Sequence, residues 1–406
     1  MSHADANDAT RPVPAIRSGD ADILRLAVAQ ALGGANSAVV FAIGAIVGNM
    51  LAPSKALSTL PLSVFVVGMA ACTLPAGLIA RHHGRRLAFL TGTGCGVLAG
   101  LLAAVAVVQG LFWLFCGATL FGGAYAAVVL SFRFAAADCV PPERRARALS
   151  AVMAGGVFAG VIGPQLVTYT MDLWQPYQFA ATFLAQAAVA ALSAFVLLGV
   201  RVPMPTAAEV AGGRPLGAIV RQPRFITAVI CGVLSYTIMN FIMTAAPLAM
   251  RLCGLSQESS NLGLQWHIIA MFGPSFFTGR LIARFGAPSV MAAGLALTAA
   301  SAATGLMGVD VTHFWLTLIL LGLGWNFGFI GATAMVADSY SESEKSKVQG
   351  FHDLVLFGSV ALSSLLSGAV YNAWGWAMLN WVILPVALVC LAALGMLALG
   401  TRRLAA

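Results

Sequence analysis

The sequence predicts an all-α polytopic membrane protein, with twelve transmembrane helices in two pseudo-symmetric six-helix halves. Three observations predict it. The chain of 406 residues is 60% apolar and only 9% charged. Its apolar stretches fall into six segments, a polar gap and six more. Short motifs of the first half recur in the second.

A spanning helix takes about 20 apolar residues, so twelve need roughly 240, which this composition supplies. Outer-membrane barrel strands alternate polar and apolar residues, whereas residues 87–108 are apolar on every face, the helical pattern. The same composition excludes ordinary soluble enzymes and nucleic-acid binders.

Proline, glycine and charge clusters bound segments at 22–51, 57–80, 87–108, 111–137, 148–170 and 177–200. The second set lies at 224–250, 262–283, 288–308, 313–337, 348–371 and 376–400. Between the halves 22–200 and 224–400, residues 201–223 carry Arg201, Arg214 and Arg221 among prolines and glycines, the make-up of a solvated linker. Residues 1–21 are polar, contain Asp5, Asp8, Arg11, Arg17 and Asp20, and lack the apolar core of a signal peptide. They read as a disordered cytoplasmic tail, and 401–406 as a short second one.

Orientation follows from the basic residues. Of the 22 lysines and arginines, only Lys55 and Arg251 fall on the face opposite the termini. The positive-inside rule therefore predicts insertion in a bacterial inner membrane with both termini cytoplasmic. The net charge of +8 reports topology, not a nucleic-acid partner. Cysteines 72, 95, 116, 139, 231, 253 and 390 show no CxxC spacing and read as small buried hydrophobes.

Two repeats are visible. Gly77-Leu-Ile-Ala-Arg-His-His-Gly84 recurs, one residue shorter, as Arg280-Leu-Ile-Ala-Arg-Phe-Gly286. The stretch from Asp138 through Glu143, Arg145 and Arg147 recurs from Asp338 through Glu342, Glu344, Lys345 and Lys347. Such repeats imply homologous halves around an axis along the membrane normal, with a solute site between them.

Gly77 through Gly84, continued by Arg85 and Arg86, resembles the loop signature after the second helix of the major facilitator superfamily. With twelve segments and a central linker, the likeness covers nearly the whole chain. It implies the major facilitator fold and transport by alternating access. The family pattern usually has an acidic residue where Arg81 stands, which implies an altered charge relay at the inner gate. Gly155, Gly156, Gly160 and Gly163-Pro164 come close to the family's antiporter signature without its spacing; close helix packing accounts for them.

The residues that suggest a cargo lie in segments 7 and 8, as Met239 with Met243 and His267 with Met271. Each pair is spaced i, i+4 and shares a helix face. At 1.5 Å rise per residue all four lie roughly 8–16 Å below the outer surface. Adjacent antiparallel helices could close three thioethers and an imidazole around one ion, and such soft neutral ligands favour monovalent copper over hard cations. Adaptable core filling is the competing reading. Against it, chance expects about 0.6 MxxxM and about 0.2 HxxxM in a chain of this make-up, and each occurs once. Pro247 and Pro274 each remove a backbone hydrogen bond beside these residues, so both helices are expected to bend there.

The paired motifs resemble those of CcoA-like copper importers within the same superfamily. That resemblance implies copper import for cbb3-type cytochrome c oxidase assembly, with Met239, Met243, His267 and Met271 as metal ligands. Copper is then the substrate, with no cofactor, and the lipid bilayer and downstream copper-handling proteins are the partners. With no P-loop motif, no ATP-binding subunit is expected, and no catalytic constellation marks an enzyme.

Two rivals stand beside this. Related carriers are similar to riboflavin transporters, so a flavin-like solute stacking on Trp266, Phe241, Trp325 and Phe329 is one. A membrane copper sensor or scaffold that binds without translocating is the other. Met250, Cys253 and Cys231 are weaker ligand candidates. His82 and His83 read as a solvated basic turn, and Arg133 with Asp138 and His352 with Asp353 as ion pairs or caps at inner helix ends.

Overall fold

Apolar side chains all round a segment leave the backbone only one way to satisfy its polar groups in lipid, which is the helix. The computed structural model describes residues 19–141, 145–202, 213–341 and 344–405. Most of the expected N-terminal tail, the middle of the linker, Glu143 and Glu342 lie outside the described residues. So do the side chains of Arg81, Arg145, Arg147, Lys345, Lys347 and those of 398–405.

The first half is α1 (Gly19–Leu51), α2 (Leu60–His83), α3 (Arg85–Gln109), α4 (Phe112–Asp138), α5 (Arg145–Thr170) and α6 (Ala180–Leu197). A one-turn helix α7 (Leu216–Val220) precedes the second half. There follow α8 (Pro223–Leu252), α9 (Gln257–Phe272), α10 (Ser275–Phe285), α11 (Ala287–Met307), α12 (Val311–Ala337) and α13 (Lys345–Ala405). Among the described residues, ten helices are long and apolar enough to cross a membrane by themselves. The count of twelve crossings is completed by two irregularities. Helix α13 has 61 residues and turns at Gly375, whose φ of 74° is left-handed, so it crosses twice. Helices α9 and α10 together make the eighth crossing.

The break between α9 and α10 is chemical in origin. Pro274 has no N–H to donate and ends the ladder, while Gly273 caps α9 through its N–H to the Ile269 carbonyl at 2.7 Å. The freed Met271 carbonyl accepts from Asn326 Nδ2 of α12 at 2.6 Å. Asn326 also donates to Ser275 Oγ at 2.8 Å and accepts from Thr278 Oγ1 at 2.6 Å. Helix α8, by contrast, runs through Pro247 unbroken.

The repeat seen in the sequence has matching geometry. Gly84 caps α2 with φ 88° and ψ 154°, and Gly286 caps α10 with φ 81° and ψ 149°. Each donates its N–H four residues back, to Ala80 at 3.1 Å and Ile282 at 2.8 Å. A side chain would strain this turn, which is why both copies carry glycine.

Small residues let helix backbones approach. A Cβ on Gly123 or Gly68 would collide with the facing backbone of α2 or α4, and one on Gly294 with that of α12. In α5, Gly155 and Gly163 face α1, whereas Gly156 and Gly160 face α9 of the other half.

On the face carrying the linker, Asp138 pairs with Arg85, not with Arg133 as the sequence suggested. Its repeat partner Asp338 pairs with Arg224 at 2.7 Å. Arg214, in the linker, grips Glu344 through Nε to Oε1 at 2.8 Å and Nη2 to Oε2 at 2.9 Å, and its backbone N–H adds a third bond at 2.7 Å. The other end of the linker is tied to the first half, where Arg201 N–H donates to Asp22 and Arg25 donates to the Gly199 carbonyl.

Two outcomes follow from these contacts. Asn326→Leu strands the Met271 carbonyl inside the bilayer and is expected to cost about 1–3 kcal/mol, read as a lowered melting temperature of the detergent-purified protein. An unchanged melt would show that the break does not depend on Asn326. The second concerns acid. Arg214 first, and then the Ser341 N–H, hold the Glu344 carboxyl well below the usual carboxylate range. A depressed carboxylate stabilises the fold above its unfolded pKa and loses that contribution as pH falls toward the folded value. The wild type should therefore lose melting temperature more steeply than Glu344→Gln on acidification below about pH 4.3; parallel acid limbs would count against it.

Candidate functional site

Helix α12 organises the centre of the molecule. Trp325 and Phe329, one turn apart, stack with centroids 5.2 Å apart and planes inclined by 17°. Tyr236 of α8 stands edge-on to both, at 5.5 and 5.2 Å. Phe357 of α13 approaches Tyr236 at 6.5 Å, and Phe272, the last residue of α9, approaches Trp325 at 6.0 Å. Four helices thus supply five rings. Counting 1.5 Å per residue from the linker-side ends of their helices, these rings lie about 12–20 Å deep. The Trp325 Nε1–H is buried without a hydrogen-bond partner among the described residues.

Charge lies just below the rings, toward the linker face. Asp353 is one helical turn before Phe357, about 12 Å in, and Arg133 of α4 is about 8 Å in. Asp353 and Tyr236 both lie close enough to Arg133 to act on its charge across the boundary between the halves. His352 Nδ1 is 3.3 Å from the Asp353 carboxylate.

Toward the opposite face, α5 and α9 are zipped across the same boundary. Gln165 donates to Gln265 at 2.8 Å, and Asn261 donates to Thr168 at 2.9 Å while accepting from Gln257 at 2.9 Å. At a separate interface, Asn372 donates to the Lys55 carbonyl at 2.9 Å, joining α13 to the loop after α1.

The four residues expected to hold a metal are all buried. Met239 and Met243 sit with Ile238, Ile242 and Ala246 in one large apolar cluster that also takes in Met271 and Trp325. His267 is fully buried, its Nδ1 2.6 Å from the Leu318 carbonyl of α12, and its Nε2 has no hydrogen-bond partner among the described residues. The expected seam between the seventh and eighth spans is a light contact, because α9 packs mainly on α5 and α12. Among the weaker candidates, Met250 is buried, Cys253 is exposed, and Cys231 donates to the Cys390 carbonyl at 3.7 Å. His82 and His83 are exposed at the end of α2.

Of the rings named for a flavin, Trp325 and Phe329 are in the cluster. Phe241 is buried elsewhere in the apolar core, and Trp266 is 45% exposed. Tyr236, Phe272 and Phe357 were missed. The i, i+4 spacing of Trp325 and Phe329 was visible in the chain; the other three are brought in only by tertiary packing.

The Major Facilitator Superfamily family model matches residues 26–275 and 228–405. The chain is 47% identical over 369 residues to the riboflavin transporter RfnT of Brucella anthropi, covering 90% of this chain and 92% of that protein. It is 31% identical to the uncharacterized MFS-type transporter YdeG of Bacillus subtilis, over 85% of this chain and 84% of that one. In fold it is similar to the xylose transporter XylE of E. coli in a partially occluded inward open conformation. There the TM-score is 0.72 at 11% identity, with 94% and 98% of the two chains covered.

These likenesses overturn the copper reading. A relative 47% identical along nine-tenths of the chain is a riboflavin transporter, so copper import, supply of copper to cbb3 oxidase, and copper and copper-handling proteins as partners are set aside. The physical reason is that i, i+4 spacing serves an apolar core as well as a metal. The methionines fill the face of α8 that packs inward, and the histidine ring is anchored on α12. What the fold, its repeat and its relatives establish together is a multi-pass transporter rather than an enzyme: the chain belongs to the Major Facilitator Superfamily.

Proposed function

We propose that this protein carries riboflavin, or a solute with the same fused aromatic ring system, across a bacterial inner membrane. The halves 22–200 and 224–400 rock about the central site, joined by the linker 201–223. Both termini lie in the cytoplasm, a reading supported by the distribution of the 22 basic residues, all but Lys55 and Arg251 on the linker face. The observation that carries the proposal is the five-ring cluster around Trp325, taken with the 47% identity to a riboflavin transporter. An isoalloxazine is flat, aromatic and amphipathic, and stacked or edge-on rings offer it both area and the right quadrupole, worth about 0.5–1.5 kcal/mol for each ring beyond the area buried. The unpartnered Trp325 Nε1–H adds a donor that a polar ring edge can accept from.

Uptake of radiolabelled riboflavin by a riboflavin-requiring strain expressing the protein tests this. Wild type should restore uptake. Trp325→Ala should lower it about tenfold, the loss expected for about 1.4 kcal/mol, with normal insertion in the membrane. Trp266→Ala, on an exposed surface, should stay within a factor of about two. Absence of uptake by the inserted wild type sinks the proposal.

A further inference from the structure

Phe272, the half-buried last residue of α9, belongs to two assemblies at once. Across the boundary between the halves, α5 and α9 meet in one antiparallel register: Thr168 bonds Asn261, Gln165 bonds Gln265, Gly160 faces Ile268 and Gly156 faces Phe272. The seam that begins with amides on the side away from the linker thus ends on an aromatic ring. Within the second half the same ring stands edge-on to Trp325, with centroids 6.0 Å apart and planes inclined by 68°. Its backbone is held on the spot, because the preceding Met271 carbonyl accepts from Asn326 at 2.6 Å and α9 ends at Gly273 directly after it.

Glycine weakens a helix interior, so Gly156 is explained by what lies opposite it. A Cβ at this position would stand 2.9 Å from Phe272 Cγ and 3.0 and 3.1 Å from its two Cδ atoms. These atoms form the root of the ring, and turning the ring about its own axis does not move Cγ. We propose that Gly156 is a positioning residue for the flavin and acts through Phe272: its bare Cα lets the ring rest against α5 in the place where it flanks Trp325. The inference rests on the flavin reading of the ring cluster. A methyl group at 156 displaces the ring and disturbs its edge contact with Trp325. A flat aromatic solute feels that change, because ring contacts are favourable only over a narrow range of centroid distance and tilt.

Riboflavin binding to the purified full-length protein, read by quenching of the flavin's fluorescence, tests this. Gly156→Ala and Phe272→Ala should each raise Kd about fivefold or more. Added to Phe272→Ala, Gly156→Ala should change Kd by less than about twofold, because the ring it displaces is gone. Gly160→Ala puts the same methyl group into the same seam, 2.7 Å from Ile268 Cγ2 and one turn away from the ring. It should leave Kd within about twofold of the wild type. Unchanged binding in Gly156→Ala overturns the inference, as does a further full loss in the double variant. An equal loss in Gly160→Ala overturns it too, since the spacing of the seam and not the seat of the ring would then be the cause. Should Gly156→Ala fail to insert, Phe272→Ala decides alone, with undiminished binding overturning the inference and weakened binding upholding it. A wild type that binds no riboflavin at all fails the flavin reading itself, a result distinct from wild-type binding that Gly156→Ala leaves intact.

Discussion

A carbonyl released inside the bilayer has no water to turn to, and in this protein the break in the eighth crossing therefore hangs on one amide. Asn326 spans the break at Pro274, bonding the Met271 carbonyl on one side and Ser275 and Thr278 on the other. The position of that amide has consequences for its neighbours in the chain. Trp325 precedes it on α12, and Phe272 follows Met271 at the end of α9, so the bond that satisfies the backbone also brings these two rings within 6.0 Å. The aromatic cluster and the broken helix are one construction.

Much of the fold was legible because its causes are local. Apolar runs of spanning length, glycine and proline at their ends and basic residues on one face depend on a few neighbours at a time. The paired caps at Gly84 and Gly286 show how far this goes, since a motif repeated about 200 positions apart returned the same left-handed turn. The misjudged details depend on what lies across a helix interface. A bend was expected at both Pro247 and Pro274, yet α8 runs through Pro247 and only the segment with Pro274 breaks, because nothing in either segment announces that Asn326 of another helix stands ready to stabilise a break. Asp138 has Arg133 five residues away, yet a helix turns those two side chains to different faces and offers Arg85 of α3 instead.

The cargo was least legible of all. Soft side chains at helical spacing are ambiguous between ligand and packing, and only the surroundings decide. Met239 and Met243 lie among isoleucines and alanines, and the imidazole of His267 is held by a carbonyl of α12. The rings that matter more come from α8, α9, α12 and α13, spread over more than a hundred residues, and have no common period to find. Trp325 and Phe329 were within reach because they share one helix; Tyr236 needed the packing of α8 against α12.

The two faces of the central region are closed by different chemistry, and the difference suits a machine that must open each in turn. On the side away from the linker the halves meet through neutral amides and a hydroxyl, Gln165 with Gln265 and Thr168 with Asn261. Each such bond contributes about 1 kcal/mol net, since water restores much of what is lost when it breaks. A short ladder of them holds the closed face and yields without leaving a charge in lipid. On the linker side, the ion pairs among the described residues include ones that run within the halves: Asp138 holds Arg85, Asp338 holds Arg224, and Arg214 brings the end of the linker onto Glu344 of the second half. Charged contacts thus tie together the parts of each half, and neutral contacts join the halves on the side away from the linker. Opening of that face then breaks bonds that water can replace.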